Sequence, residues 1–238
     1  MNPKAFHIDP ARYLSGPSPI RLSSSFLPYA EESWLINVPR RDDRKAQALA
    51  QCRAQGFEPF VFPAYDGKVL TLENKNSRSD RFGVNLHMTS GELCCTLSHT
   101  AVLRSAYARG VKSLLIMEDD IVFTPDFHPE FKLFWDEKPE DMSVCWGTYE
   151  FGKVQPTPVS EHVQKHNYSF LSLFVIYNEH AIKTIVQDLS TSDAHFFVWD
   201  EYFMLRAPIL GLKVYGPRKK LMRPFNHTGD SDIEIPKG

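Results

Sequence analysis

The stretch Lys112-Ser113-Leu114-Leu115-Ile116-Met117-Glu118-Asp119-Asp120 decides the fold. An apolar run of strand type stops at three consecutive acids. Strands buried on both faces read as continuous hydrophobic runs. Ligands of open α/β sheets sit beyond the carboxyl ends of such strands. Three adjacent carboxylates there repel one another unless something positive joins them. A hard divalent cation held by carboxylate oxygens, itself holding a diphosphate, answers that repulsion. The competing reading is a strand that ends in a solvated acidic turn.

The flanking sequence supplies the rest of an α/β unit. Trp34 to Val38 reads as the first strand, and Pro39 to Arg44 ends it and enters a helix that stops near Gly56. Phe60 to Phe62 is a second strand, closed by Ala64-Tyr65-Asp66-Gly67. Residues 71–88 are polar and read as loop. Ser90-Gly91-Glu92 opens a long helix that ends near Gly110, with Ser90 as its N-cap. This β-α-β-loop-α-β rhythm predicts a mostly parallel sheet with helices on both faces. Further on, Phe131 to Asp136 is a short helix, and Met142 to Trp146 a strand. Residues 150–168, with Pro156 and Pro158, read as a mobile loop and a candidate lid. Phe170 to Tyr177 is a strand, Glu179 to Leu189 a helix and Leu212 to Tyr215 a late strand. Residues 1–30 read as an irregular N-terminal arm, and 31–238 as a single domain.

Bulk properties exclude several classes. The 238 residues are 42% hydrophobic and 24% charged, enough for a sizeable core. A net charge of −2 does not suggest a nucleic-acid binder. Cys52, Cys94, Cys95 and Cys145 form no CxxC pair, so they read as buried thiols in a reducing compartment. No run approaches a membrane span and no leader is visible, so the expectation is a cytoplasmic protein. A peripheral contact at the inner face of a membrane is compatible with this. Oligomeric state is not legible.

Several pieces fall in a telling order. They are Leu35 to Arg44; Pro63-Ala64-Tyr65-Asp66-Gly67; Gly91-Glu92-Leu93-Cys94-Cys95-Thr96-Leu97-Ser98-His99; the Glu118-Asp119-Asp120 strand; Val198-Trp199-Asp200; and Ser231-Asp232-Ile233. Together they resemble glycosyltransferase family 25, over about residues 33–233. That family includes bacterial lipooligosaccharide galactosyltransferases and the collagen galactosyltransferases. The resemblance implies a GT-A-type, Rossmann-like α/β domain, a nucleotide-sugar donor (often UDP-galactose), a divalent metal, and inversion at the anomeric carbon. Two places depart from the family pattern. Cys94 stands where Gly is usual, and Arg223 to Asp230 replaces a segment that usually contains Gln.

The resemblance also assigns roles. Glu118, Asp119 and Asp120 look like the metal-binding acidic motif, with Asp120 the main ligand of Mn²⁺ or Mg²⁺. Asp119 would bind ribose or orient metal-bound water. His227 would close the metal shell, with Asp230 and Asp232 as substitutes. Asn37, Pro39, Arg40 and Arg44 sit where a nucleotide lies in a Rossmann-like half, and arginine suits a diphosphate. Asp66 and Gly67 resemble a second nucleotide-side loop, where glycine allows a positive φ and close backbone approach. Glu92, Ser98 and His99 lie on the helix that borders the donor. Asp200 matches the family's late acid and is the first choice of general base, with Glu201 second. Trp199 offers an apolar platform for a sugar ring.

Each has a plainer counterpart: a helix-entry charge cluster, a bare turn, a buried polar helix face, an acidic N-cap. Arg218, Lys219, Lys220 and Arg223 form a basic cluster that reads first as solvated charge. The expected activity is transfer of a hexose, galactose first, from a UDP-sugar to a hydroxyl of a glycan or glycoconjugate. The alternatives are a hydroxylated protein side chain or modified nucleobase as acceptor, or a degenerate module that binds the donor without turnover.

Overall fold

The structure is a computed structural model, and it describes residues 26, 28–69, 89–148, 150–151, 154–166, 169–191 and 198–225. An eight-stranded sheet forms its centre. Its strands, in spatial order, are β2 (Phe60–Pro63), β1 (Glu32–Asn37), β3 (Ser113–Glu118), β10 (Phe174–Asn178), β5 (Val144–Trp146), β11 (Val214–Pro217), β8 (Val163–Lys165) and β7 (Thr157–Pro158). Only β10 and β8 run against the other six, so the sheet is mostly parallel, as expected. Two small ladders stand apart: β4 (Ile121–Phe123) with β12 (Met222–Pro224), and β6 (Glu150–Phe151) with β9 (Ser169–Phe170).

Alternation along the strands divides the core in two. Ile36, Leu114, Ile116, Val175 and Trp146 face one side. There they meet α2 (Ser90–Arg109), α4 (Glu179–Thr191) and α5 (Trp199–Leu205) through Leu103, Ile185 and Phe203. Leu35, Leu115, Met117, Cys145 and Phe174 face the other side. That face is covered by α1 (Asp42–Ala54) and α3 (Phe127–Glu137), with Phe127, Phe131 and Phe134 fully buried. Helices on both faces are what a strand such as β3, apolar on both sides, requires. Phe26 stacks into the second core beside Phe127, so the described end of the N-terminal stretch is anchored there. Residues 1–25 lie outside the described residues, as does the 71–88 reading.

Some boundaries differ from the sequence reading. Helix α2 is capped by Thr89, not Ser90: Thr89 accepts the Glu92 N–H while Glu92 accepts the Thr89 N–H. This reciprocal box outranks a lone serine. Gly110 closes the helix in the left-handed conformation, φ 72°. The stretch 150–168, expected to be loop, supplies β6, β7 and β8, and Val163 is fully buried. Thr157 and Pro158 of β7 are exposed at the sheet's edge, while Val163 and Gln164 of β8 are buried inside it. The expected strand 170–177 is broken at Leu171, the only non-glycine with positive φ among the described residues, at 73°. All four cysteines are unpaired, and Cys52, Cys94 and Cys145 are buried. No described helix is long and apolar enough to cross a membrane.

Candidate active site

Strands β1 and β3 are parallel neighbours, so their carboxyl ends arrive together, with Ile36 opposite Glu118. Asn37 ends β1 and is 2% exposed. Its Nδ2 donates to Asp119 Oδ2 at 2.7 Å and to the Arg41 carbonyl at 3.0 Å. Arg44, in the first turn of α1, reaches Asp119 Oδ1 at 3.3 Å. Both oxygens of Asp119 are therefore engaged. Burial raises its carboxyl above the ordinary range, against the pull of Asn37 and Arg44.

The loop after β2 forms the opposite wall. Asp66 accepts from Arg40 Nε at 2.8 Å and from the Lys68 N–H at 2.9 Å. A Cβ on Gly67 would stand 2.7 Å from Gly91 N and 2.9 Å from Gly91 Cα. Space, rather than a positive φ, makes glycine necessary here. Ser98 Oγ accepts the Tyr65 N–H at 3.1 Å and donates to the Cys94 carbonyl at 2.7 Å. The resulting cleft is lined by Val38, Arg40, Arg44, Tyr65, Asp66, Gly67, Gly91, Cys95, Ser98 and the three acids Glu118, Asp119 and Asp120.

Glu118 faces inward. One of its oxygens takes His99 Nε2 at 3.2 Å, the Ser172 hydroxyl, and Cys95 Sγ at 3.9 Å. Burial would raise this carboxyl, but the hydrogen bond and charge of His99 hold it below the usual glutamate range. Ligand-type atoms of Cys95, His99 and Glu118 lie within 4.8 Å of one another, the one such trio among the described residues. The sequence reading passed over Cys95. Its spacing of four from His99 on a helix was the available signal.

Asp120 is different. Its Oδ1 is buried and has no hydrogen-bond partner among the described residues. Burial, with the Glu118 charge beside it, pushes its carboxyl up to about 7. Its backbone carbonyl accepts the Phe225 N–H at 2.6 Å. His227, with Asp230 and Asp232, lies outside the described residues.

Asp200 sits in the first turn of α5, whose N-cap is Val198, so the N-cap alternative does not hold. Its Oδ2 accepts the Leu171 N–H at 2.8 Å, and its Oδ1 has no hydrogen-bond partner among the described residues. Burial and then the Glu118 charge raise it to about 7, and Glu201 adds to the effect. Trp199 is 1% exposed and stacks on His99 and Tyr202. The platform expected for a sugar is thus a core residue, because its ring is needed to cover His99. Glu92 is spent on the α2 cap, and Pro39 lies in an exposed turn.

The donor set suits a hard divalent cation. Asp120 offers an unpartnered buried carboxylate oxygen at the cleft, where a cation would neutralise an otherwise costly charge. Cys95 offers a soft sulfur, which matches a hard divalent cation less well than carboxylate oxygen does.

A family model described as "Glycosyltransferase family 25 (LPS biosynthesis protein)" matches residues 30–191. The chain belongs to glycosyltransferase family 25. Among curated family 25 relatives, the human "Inactive glycosyltransferase 25 family member 3" is 29% identical over 143 residues, covering 55% of this chain and 23% of that protein. The zebrafish (Danio rerio) "Procollagen galactosyltransferase 1" is 24% identical over 229 residues, covering 84% of this chain and 37% of that protein. The chain therefore spans about a quarter to a third of the length of these family 25 members. Among solved structures, "a glycosyltransferase involved in the glycosylation of the major capsid of PBCV-1" is similar at 9% identity and TM-score 0.47, covering 78% of this chain and 79% of that one.

Proposed function

We propose that this chain is a GT-A-type, metal-assisted, inverting hexosyltransferase. It would move a hexose, galactose first, from a UDP-sugar to a hydroxyl of a glycan or glycoconjugate. The observation that carries this reading is the end of β3, where Asp119 is locked by Asn37 and Arg44 while the next carboxylate, Asp120, keeps a buried oxygen unpartnered. A fixed carboxylate beside an available one is what an ion-and-diphosphate site needs.

Asp120 would hold Mn²⁺ or Mg²⁺, with His227 as a further ligand, and the ion would supply Lewis-acid stabilisation of charge on the leaving diphosphate. The chain's own groups do the rest. Asn37 braces Asp119, and the Arg40–Asp66 pair would form a wall of the nucleotide cleft. Asp200, raised to about 7, is suited to take the acceptor hydroxyl proton, since a general base works best near the ambient pH. The proposed setting is the cytoplasm, at the inner membrane face if the acceptor is lipid-linked.

The family description names lipopolysaccharide biosynthesis, which favours a glycan acceptor. The relative named procollagen galactosyltransferase favours a hydroxylated side chain. A donor-binding module without turnover is a second reading, because a similar human protein carries the name inactive. The unpartnered Asp120 oxygen at the cleft supports turnover.

The test is thermal stability against a panel of UDP-hexoses, with and without Mn²⁺, for wild type and Asp120→Ala. A donor at a hundred times its Kd stabilises by about 2.7 kcal/mol, or roughly 5–10 °C for a chain of this size. A Mn²⁺-dependent rise with one UDP-sugar, absent in Asp120→Ala, is expected. No rise with any UDP-sugar would sink the proposal.

A further inference from the structure

The three residues Leu171, Ser172 and Leu173 touch both carboxylates that matter most. The Leu171 N–H donates to Asp200 Oδ2 at 2.8 Å. The Leu171 carbonyl accepts from Thr148 Oγ1 at 2.9 Å. The Ser172 hydroxyl donates to Glu118 Oε1 and also borders the Asp200 carboxylate. The Leu173 carbonyl accepts the Glu118 N–H at 3.1 Å. At the centre of this turn stands Leu171 at φ 73°, a conformation that favours glycine. Returning φ to the ordinary region would re-aim the peptide groups on either side of Leu171. The bonds to Asp200 and to Thr148 could not both survive.

We propose that the Leu171–Ser172 turn is a positioning element, which fixes the Asp200 carboxylate relative to the end of β3 through Oδ2 and leaves Oδ1 unengaged. It rests on the reading of Asp200 as the base. Asp200 and Glu118 belong to elements that do not pair with each other: one opens α5, the other ends β3. Nothing in the sheet register sets their separation. The turn does so, by holding Oδ2 of one and Oε1 of the other within two consecutive residues. Oδ1 of Asp200 is left buried and without a hydrogen-bond partner among the described residues. Strained backbone that aims a functional group is a recurrent use of a positive φ.

The experiment compares wild type with Ser172→Ala, Ser172→Thr and Leu171→Gly. Two quantities are read: the ¹³C carboxyl shift of Asp200 in aspartate-labelled protein, assigned with Asp200→Asn, and UDP release from UDP-galactose with Mn²⁺. Ser172→Ala is expected to move the Asp200 resonance. It should lower kcat by about tenfold to a hundredfold, as small misplacements of a reacting group do, with KM within about twofold. Ser172→Thr keeps the hydroxyl and should restore both readouts. Leu171→Gly keeps the N–H and tolerates the φ, so the Asp200 resonance should stay in place. An unmoved Asp200 resonance in Ser172→Ala overturns the proposal, whatever the kinetics. If wild type releases no UDP, or Asp200→Asn is as fast as wild type, the base reading falls, and the carboxyl shift alone decides the positioning role.

Discussion

Asn37 Nδ2 lies 2.7 Å from Asp119 Oδ2, so a buried amide at the end of β1 fastens a buried carboxylate just beyond β3. Truncating it leaves a buried acceptor without its donor, at a cost of about 1–3 kcal/mol. Urea denaturation of Asn37→Ala should show that loss. Asn37→Asp should cost more at pH 7, because it sets a second carboxylate against Asp119, and it should recover as the pH is lowered. Equal stability of the two variants at pH 7 would argue that this contact carries little.

Asp200→Asn keeps an acceptor oxygen for the Leu171 N–H but removes the carboxylate proposed as the base. Loss of a general base slows turnover by about 10²- to 10⁴-fold. Steady-state kinetics with the donor found in the thermal screen should show that drop, with donor Kd within about threefold. Glu201→Gln should fall much less, since Glu201 bears on the proposed base only through its charge. The reverse order would move the base to Glu201.

His166 gives a pH dependence that does not involve the cleft acids. It is buried, with Nδ1 on Ser169 Oγ and Nε2 3.5 Å from the Gln164 amide nitrogen. Burial lowers its pKa to about 3, from 6.5. Between those values the unfolded chain binds the extra proton, so stability is complete above pH 6.5 and declines as pH falls toward 3. The loss from this one group is about 1.4 kcal/mol at pH 5.5. Denaturation at pH 7.5 and 5.5 should show a smaller pH effect in His166→Gln than in wild type. An identical effect in both would assign the acid sensitivity elsewhere.

Gly67→Ala should reach both stability and binding. Its Cβ would stand 2.7 Å from the Gly91 backbone nitrogen, closer than packing permits, so the loop must move off the start of α2. Overpacking of this kind costs about 1–3 kcal/mol. Because Asp66 is the adjacent residue and pairs with Arg40, donor affinity should weaken with it. Unchanged donor affinity, measured by calorimetry, would separate this loop from the nucleotide.

The sequence disclosed the elements whose pattern is set locally. The β3 run, apolar on both faces, told of a buried strand, and Gly110 marked a helix end that the structure closes with φ 72°. Asp66, Gly67, Asp119 and Asp120 come to one cleft because strands that are parallel neighbours end at the same side. What escaped was set by tertiary contact. Trp199 was read as a platform because aromatic content does not reveal which face is covered, and here His99 covers it. Strand β8 was missed because its residues are polar outside the sheet's context, and its pairing with β11 is supplied by residues about fifty positions away. Leu171 carried no signal, since a leucine in a left-handed turn is held there by Asp200 and Thr148, not by its own preference.

The antiparallel pairing of Met222–Pro224 with Ile121–Phe123, and the Phe225 N–H on the Asp120 carbonyl, set an order of events for synthesis. A ribosome that has released the acidic stretch must add about a hundred more residues before that clasp can form. Strand β11 also enters the interior of the sheet from the same late segment. Contacts so distant along the chain are slow to close. The cleft walls on β1 and β3 are complete in sequence by Glu118, whereas the contact behind Asp120 needs the chain as far as Phe225. The backbone at Asp120 therefore leans on a segment about a hundred residues further along the chain, and a chain cut short before Met222 would lack it.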